Sequence, residues 1–158
     1  MIVVVAALIE REGKLLVCQR RRGATWGLMW EFPGGTLQTG ETPAQGLARE
    51  LREELGVDAE VGTEVFRTRH RYAELSEAIE LIFLAATVDA SKIRNIVFET
   101  MEWRAPSSLA ELNFLPADRE FIAKLAREHI AATEATSQDS VSLRKSESLR
   151  RSVTKVSP

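Results

Sequence analysis

"GTLQTGETPAQGLARELREELGV", residues 35–57, is the stretch that decides how this chain is read. From Thr42 onward its helix signals agree. Thr42 suits the N-cap, Pro43 the first helical position, and Gln45 completes a T-x-x-Q capping box. Gly56 suits the left-handed position just past Leu55. At about 100° per residue, Ala44, Leu47, Leu51 and Leu55 share one arc, the expected core face. Glu50, Glu53 and Glu54 share a neighbouring arc, with Gly46 above them. This grouping is locally unfavourable. Like charges at i,i+3 and i,i+4 repel, Gly46 costs about 1 kcal/mol relative to Ala, and acids near a helix C-terminus oppose the macrodipole. Two readings follow. Either the face is solvated, with Arg49 and Arg52 compensating in part, or the acids are hard oxygen ligands for a divalent cation, Mg²⁺ or Mn²⁺. On the second reading, the missing side chain at Gly46 leaves room above the acids.

The flanks set the fold class. Ile2–Ile9 is a β-branched apolar run ended by a turn at Gly13, and Leu15–Gln19 returns as a second strand. "RRRGATWGLMW" and "EFPGG" (residues 20–35) read as loop. Val61–Thr68 alternates loosely, and Ala78–Val88 is apolar on both faces, as a central strand covered on each side would be. Met101–Arg104 is a short strand around Trp103. After Pro116, Phe121, Ile122, Leu125, Ala126 and Ile130 form a helical stripe expected to pack on the core. Strands interleaved with two main helices predict an α/β (α+β) sandwich, with helices on both faces of a mixed sheet.

With 158 residues, 44% of them hydrophobic, and a net charge of −2, the chain is sized for one domain. That charge does not advertise nucleic acid or membrane binding. Cys18, alone in an apolar run, excludes an internal disulfide and reads as a buried, inert thiol in a reducing cytosol. The apolar start lacks a basic segment before it and meets charge after Ile9. It reads as a strand rather than a signal peptide or membrane span, and a cytoplasmic protein is expected. Composition shifts near residue 131: residues 133–158 are rich in Ser and Thr and hold five Lys/Arg against three Asp/Glu. They are expected to form a mobile polar tail, with a transient helix around Ser142–Val153, after a domain spanning residues 1–132. A basic arm for an acidic partner is the functional alternative.

Gly35, five residues, Glu41, seven residues, then Arg49-Glu50-Leu51-Arg52-Glu53-Glu54-Leu55-Gly56-Val57 resembles the Nudix box, G-x5-E-x7-R-E-U-x-E-E-x-G-U with U aliphatic, at every fixed position. The preceding "WEFPGG" (Trp30–Gly35) resembles its MutT branch. The resemblance covers Met1 to Ile130. It implies a Nudix α/β/α sandwich with a loop–helix–loop motif that binds Mg²⁺ against a diphosphate. Carried over residue by residue, Glu50, Glu53 and Glu54 become metal ligands together with the Gly34 carbonyl. Glu53 is favoured as the acid that orients or deprotonates the attacking water. Arg49 would hold the carboxylates in place, and Glu41 would tie the loop to the helix start. MutT-like relatives also use a glutamate on a late loop, six residues before a Trp. Val97 stands at that spacing here, so Glu99 is the substitute.

The resemblance also implies a nucleotide substrate. Asp118, in "PAD", matches a base-reading position, and as an acid near a helix N-terminus it has a structural role open to it as well. Phe32 matches an aromatic that lines the base pocket, or is ordinary core. Arg20 matches a substrate-contacting position, or is a solvated arginine. Arg67, Arg69, His70 and Arg71 either steer phosphates or form an exposed cluster. Tyr72 stands near a tyrosine found in dinucleoside polyphosphate hydrolases. The leading expectation is a Mg²⁺-dependent nucleoside triphosphate pyrophosphohydrolase acting on 8-oxo-dGTP or cytidine-type nucleotides. Alternatives are hydrolysis of ADP-ribose or a dinucleoside polyphosphate, and a non-catalytic nucleotide-binding module. A small-molecule nucleotide is the expected partner, with no membrane, no stable nucleic-acid binding, and a monomer or homodimer.

Overall fold

The computed structural model describes residues 1–153. The chain runs β1 (Ile2–Leu8), β2 (Glu10–Arg11), β3 (Lys14–Gln19), β4 (Trp30–Glu31), β5 (Gly34–Thr36), α1 (Pro43–Leu55), β6 (Ala59–His70), β7 (Ile79–Val88), β8 (Thr100–Arg104) and α2 (Arg119–Val153). Instead of one sheet there are two. The first is mixed, in the order β5-β1-β7-β6, with β1 parallel to β7 and the other pairs antiparallel. The second is antiparallel, built on β3, which pairs with β2, β4 and β8. Glu12 and Gly13, both at positive φ, close the two-residue β2–β3 hairpin. The short strands β4 and β5 fall in residues that the sequence predicts as loop, because Pro33 and two glycines mask them. Only the long-range partners β3 and β1 reveal them.

The central strands explain their own composition. On β1 and β7, Val5, Ala7, Ile82, Leu84 and Ala86 face a core with Leu47, Leu51 and Leu55 of α1. Ala6, Leu81 and Phe83 face a second core with Phe114, Phe121 and Ile122 from the α2 side. Apolar residues are needed on both faces because a helix covers each. The result is an α/β/α sandwich.

α1 has the capping box at Thr42 and Gln45 and the left-handed Gly56, φ 64°, that its sequence predicts. Leu47, Leu51 and Leu55 are fully buried, but Ala44 is exposed. Gly46 does not open a space above the acids. A Cβ there would meet Leu37 Cδ2 at 2.1 Å and Glu41 Oε2 at 3.0 Å, so the vacated volume is occupied by the loop.

α2 continues unbroken past residue 133, where the composition changes. The chain has neither Gly nor Pro between Ala117 and Ser157, so no backbone feature stops the helix. Its packed face is shorter than the predicted stripe. Phe121 and Ile122 are buried, whereas Ile130 is 57% exposed, because the sheets end before the helix does. Residues 154–158 of the expected tail lie outside the described residues. Cys18 is buried, and burial, with Glu54 and Glu31 nearby, raises its thiol pKa well above the ordinary value. Among the described residues no helix is long and apolar enough to cross a membrane.

Candidate active site

Arg49 organises the acidic face of α1. Its Nε and Nη2 donate to Glu41, Nη1 donates to Glu50 at 2.9 Å and to Glu53 at 3.3 Å, and Nη2 also donates to the Thr36 carbonyl at 3.1 Å. Glu41 in turn accepts from the Gln38 N–H at 2.9 Å, which ties the loop to the helix start. The Arg49 hydrogen bond, helped by Gln38, holds the Glu41 carboxyl down to about 2. Hydrogen bonds to three carboxylates, Glu41 first, then Glu50 and Glu53, raise the Arg49 guanidinium pKa further still.

The three acids occupy three environments. Glu53 is exposed. Glu50 lies directly over Gly35, where a Cβ would stand 2.5 Å from its Cδ, so any larger residue there would displace the Glu50 carboxylate. Partial burial raises the Glu50 pKa against the opposing pull of Arg49. Glu54 is buried and its Oε1 accepts from the Gly34 N–H at 2.9 Å. Burial first, then Glu31 and Glu50, push its carboxyl up to about 9. Gly34 itself, φ 153°, presses on β1, and a Cβ there would overlap the Val5 carbonyl at 1.9 Å.

Beyond Gly34 and Glu54 a cavity of about 470 Å³ opens between the two sheets, lined also by Arg20, Glu31, Phe32, Tyr72 and Asp118. Phe32 is buried against Phe83, Phe114 and Phe121. Asp118 is buried at the turn before α2. Burial and the nearby Glu31 raise its carboxyl pKa well above the ordinary range. That turn is fixed by the Ala117 N–H, which donates to the Tyr72 hydroxyl at 3.1 Å, and by backbone pairing of Asn113 and Leu115 with Trp30. Arg20 is not a solvated side chain. Its Nη1 meets both Glu31 oxygens at 3.0 and 3.2 Å, and its Nε donates to the Thr25 carbonyl at 2.8 Å.

The structure thus brings Gly34, Glu54, Arg20, Phe32 and Asp118 to one cavity; Glu50 packs over Gly35 at its edge, and Glu53 stays on the exposed face of α1, outside the lining. Glu99 is not brought there. It is exposed, and its carboxylate accepts from the Arg22 N–H at 3.4 Å, outside the cavity lining. The basic cluster on β6 is absorbed by sheet neighbours: Arg67 pairs with Glu64 and Glu80, and Arg69 lies 3.8 Å from Glu80. Glu31 was missed by sequence reasoning. It sits inside "WEFPGG", but only the fold shows that this acid stands beside Arg20, Glu54 and Asp118.

The donor set fits a divalent cation in chemistry: three carboxylates and a backbone carbonyl are hard oxygen ligands. Among the described residues no ready-made cage of acid, His or Cys side chains exists. Glu50 and Glu53 are turned to Arg49 and Glu54 to an amide, so binding would exchange these partners.

The NUDIX domain profile matches residues 1–125. The chain is 36% identical over 118 residues to a CTP pyrophosphohydrolase of Escherichia coli, covering 75% of this chain and 86% of that protein. It is 35% identical over 128 residues to a putative 8-oxo-dGTP diphosphatase 2 of Mycobacterium tuberculosis, covering 79% and 88%. The solution structure of the Escherichia coli ORF135 protein superposes with a TM-score of 0.68 at 33% identity, covering 84% of this chain and 92% of that one. This chain therefore belongs to the NUDIX family and is a Nudix hydrolase. Members of that family generally work with a divalent metal.

Proposed function

We propose that this hydrolase cleaves (d)NTPs, of 8-oxo-dGTP or cytidine type, to the monophosphate and pyrophosphate with Mg²⁺. The observation that carries this reading is the cavity that runs from Gly34 and the buried Glu54 of α1 to Phe32 and Asp118. It offers an anhydride end and a base end at once. Glu50, Glu53, Glu54 and the Gly34 carbonyl would hold the metal, with Mn²⁺ a possible substitute. When bound, the metal supplies charge neutralisation on the diphosphate oxygens.

The chain's own residues do the rest. Arg49 holds Glu50 and Glu53 at the helix surface. Glu53, exposed beside them, accepts the proton of the attacking water as its oxygen bonds to phosphorus and the bridging P–O bond breaks. Arg20, braced by Glu31, offers its guanidinium to the substrate. Phe32 packs on the base, and Asp118 reads its edge. A carboxyl at this position would present one donor and one acceptor when protonated, a pattern that matches the N3 and N4-amino edge of cytosine. Agreement with relatives named for CTP and 8-oxo-dGTP supports both base types.

The test is pyrophosphate release with Mg²⁺ from CTP, dCTP, dGTP and 8-oxo-dGTP, beside ADP-ribose and diadenosine tetraphosphate. Preference for one triphosphate is expected. Cleavage of only ADP-ribose or the dinucleotide would overturn the reading, and no turnover of any compound would leave a binding module.

A further inference from the structure

The loop that precedes β4 brings an aromatic ring to the cavity that neither the proposed chemistry nor the Nudix box uses. Trp26 lines the cavity and is half-buried. Its ring lies 4.6 Å from that of Tyr72, tilted by 33°, and the Tyr72 hydroxyl holds the Ala117–Asp118 turn. Trp26 is therefore one ring away from the residue proposed to read the base. Its backbone is unusual, since Trp26 at φ 53° and Leu28 at φ 66° are both left-handed. For bulky side chains that conformation is strained and persists only where the surroundings enforce it.

Here they do enforce it. The Leu28 N–H donates to the Arg20 carbonyl at 2.9 Å, the Gly27 N–H to the Ala24 carbonyl at 3.0 Å, and the Met29 N–H to the Trp26 carbonyl at 3.3 Å. Arg20 Nε clasps the Thr25 carbonyl from the cavity side. A Cβ at Gly27 would stand 2.9 Å from the Arg21 carbonyl, so the turn is closed too tightly for any other residue. The segment is thus a built turn that presents one indole to the cavity. The ring packs on the edge of the second core yet leaves part of its surface free toward the cavity, so the braced turn does more than bury an aromatic.

We propose that Trp26 is a specificity-determining residue whose indole, backed by Tyr72, stacks on the planar base of the substrate and presents the base edge to Asp118. This rests on the reading of the cavity as a nucleotide site. An indole face stacks on any nucleobase, so Trp26 selects for the presence of a base, and the polar edge residue selects among bases.

The test uses the full chain and a non-hydrolysable α,β-methylene analogue of the preferred triphosphate. Of the three tryptophans, Trp30 is in the core and Trp103 lies under Arg11. Quenching of tryptophan emission by the analogue is expected in the wild type and should disappear in Trp26→Phe. Trp26→Ala should raise KM by about tenfold, within the span of a lost base–aromatic stack, with kcat within about twofold. Trp26→Phe should recover most of the affinity, and melting curves of both variants check that each is folded. Undiminished quenching in Trp26→Phe, an unchanged KM in Trp26→Ala, or no quenching of the wild type by any nucleotide would overturn the proposal. Quenching by ADP-ribose alone, lost in Trp26→Phe, would leave the stack standing and discard the triphosphate reading.

Discussion

The two helices cover opposite faces of the same sheet and are built on different principles. α1 has 13 residues, side-chain and backbone caps at its two ends, and a buried leucine stripe. α2 has 35 residues and is anchored mainly through its first turns, by Phe121, Ile122 and the Thr68–Glu120 hydrogen bond of 2.6 Å. α1 can carry locally unfavourable acids because its leucines hold it in place. α2 is long because nothing in its sequence stops it. A helix pinned by its packing can give one face to chemistry, whereas one sustained by propensity alone owes little to the core beyond its anchor.

The largest effect separating the two should come from the acids. Glu53→Gln is expected to reduce kcat by about 100-fold or more, as loss of a general base does, with the fold retained. Pyrophosphate release together with a melting curve measures both, and unchanged turnover would remove Glu53 from the proposed role. Next come the anchors themselves. Leu51→Ala in α1 and Phe121→Ala in α2 should each cost about 2–5 kcal/mol in denaturant unfolding, since both side chains are fully buried. A cost near zero for Phe121→Ala would mean that α2 is not held as described.

A pH series sharpens the contrast. The folded state keeps a proton on Glu54 up to about 9, from an ordinary value of 4.5. Between those values the native state binds more protons than the unfolded state, so stability falls as pH rises through the window and levels off above it. Glu31, Glu50 and Asp118, all raised, act in the same direction. Glu41, lowered to about 2, acts oppositely and loses its contribution only in acid, between 4.5 and 2. In chelator-treated protein the melting temperature should decline from about pH 5 to about pH 9, and Glu54→Gln should flatten the decline. Adding Mg²⁺ should restore stability most at the alkaline end, where the ligands are ionised. A flat wild-type profile would contradict the burial of Glu54.

The smallest effects belong to the far end of α2. Ile130→Ala should change stability by no more than about 0.5 kcal/mol, as exposed substitutions do. Removing residues 133–158 should leave kcat and KM unchanged, because the cavity lining ends at Asp118. An inactive truncation would make the tail part of the working unit.

Both caps of α1, the two-faced central strand and the acids of the box are legible in the sequence alone. These are local or periodic signals: a cap bonds within its own turn, and a strand's alternation follows its own faces. Other features needed the tertiary structure. The short strands β4 and β5 form only against distant partners. Gly46 is filled by Leu37, Ile130 is left outside by the limits of the sheets, and Glu99 is turned to Arg22. Glu31 on β4, Trp26 in the loop before it and Tyr72 after β6 line one cavity only because segments far apart in the chain pack together. Burial there decides which carboxyls keep their protons, and burial is set by the whole packed chain rather than by neighbours in the sequence.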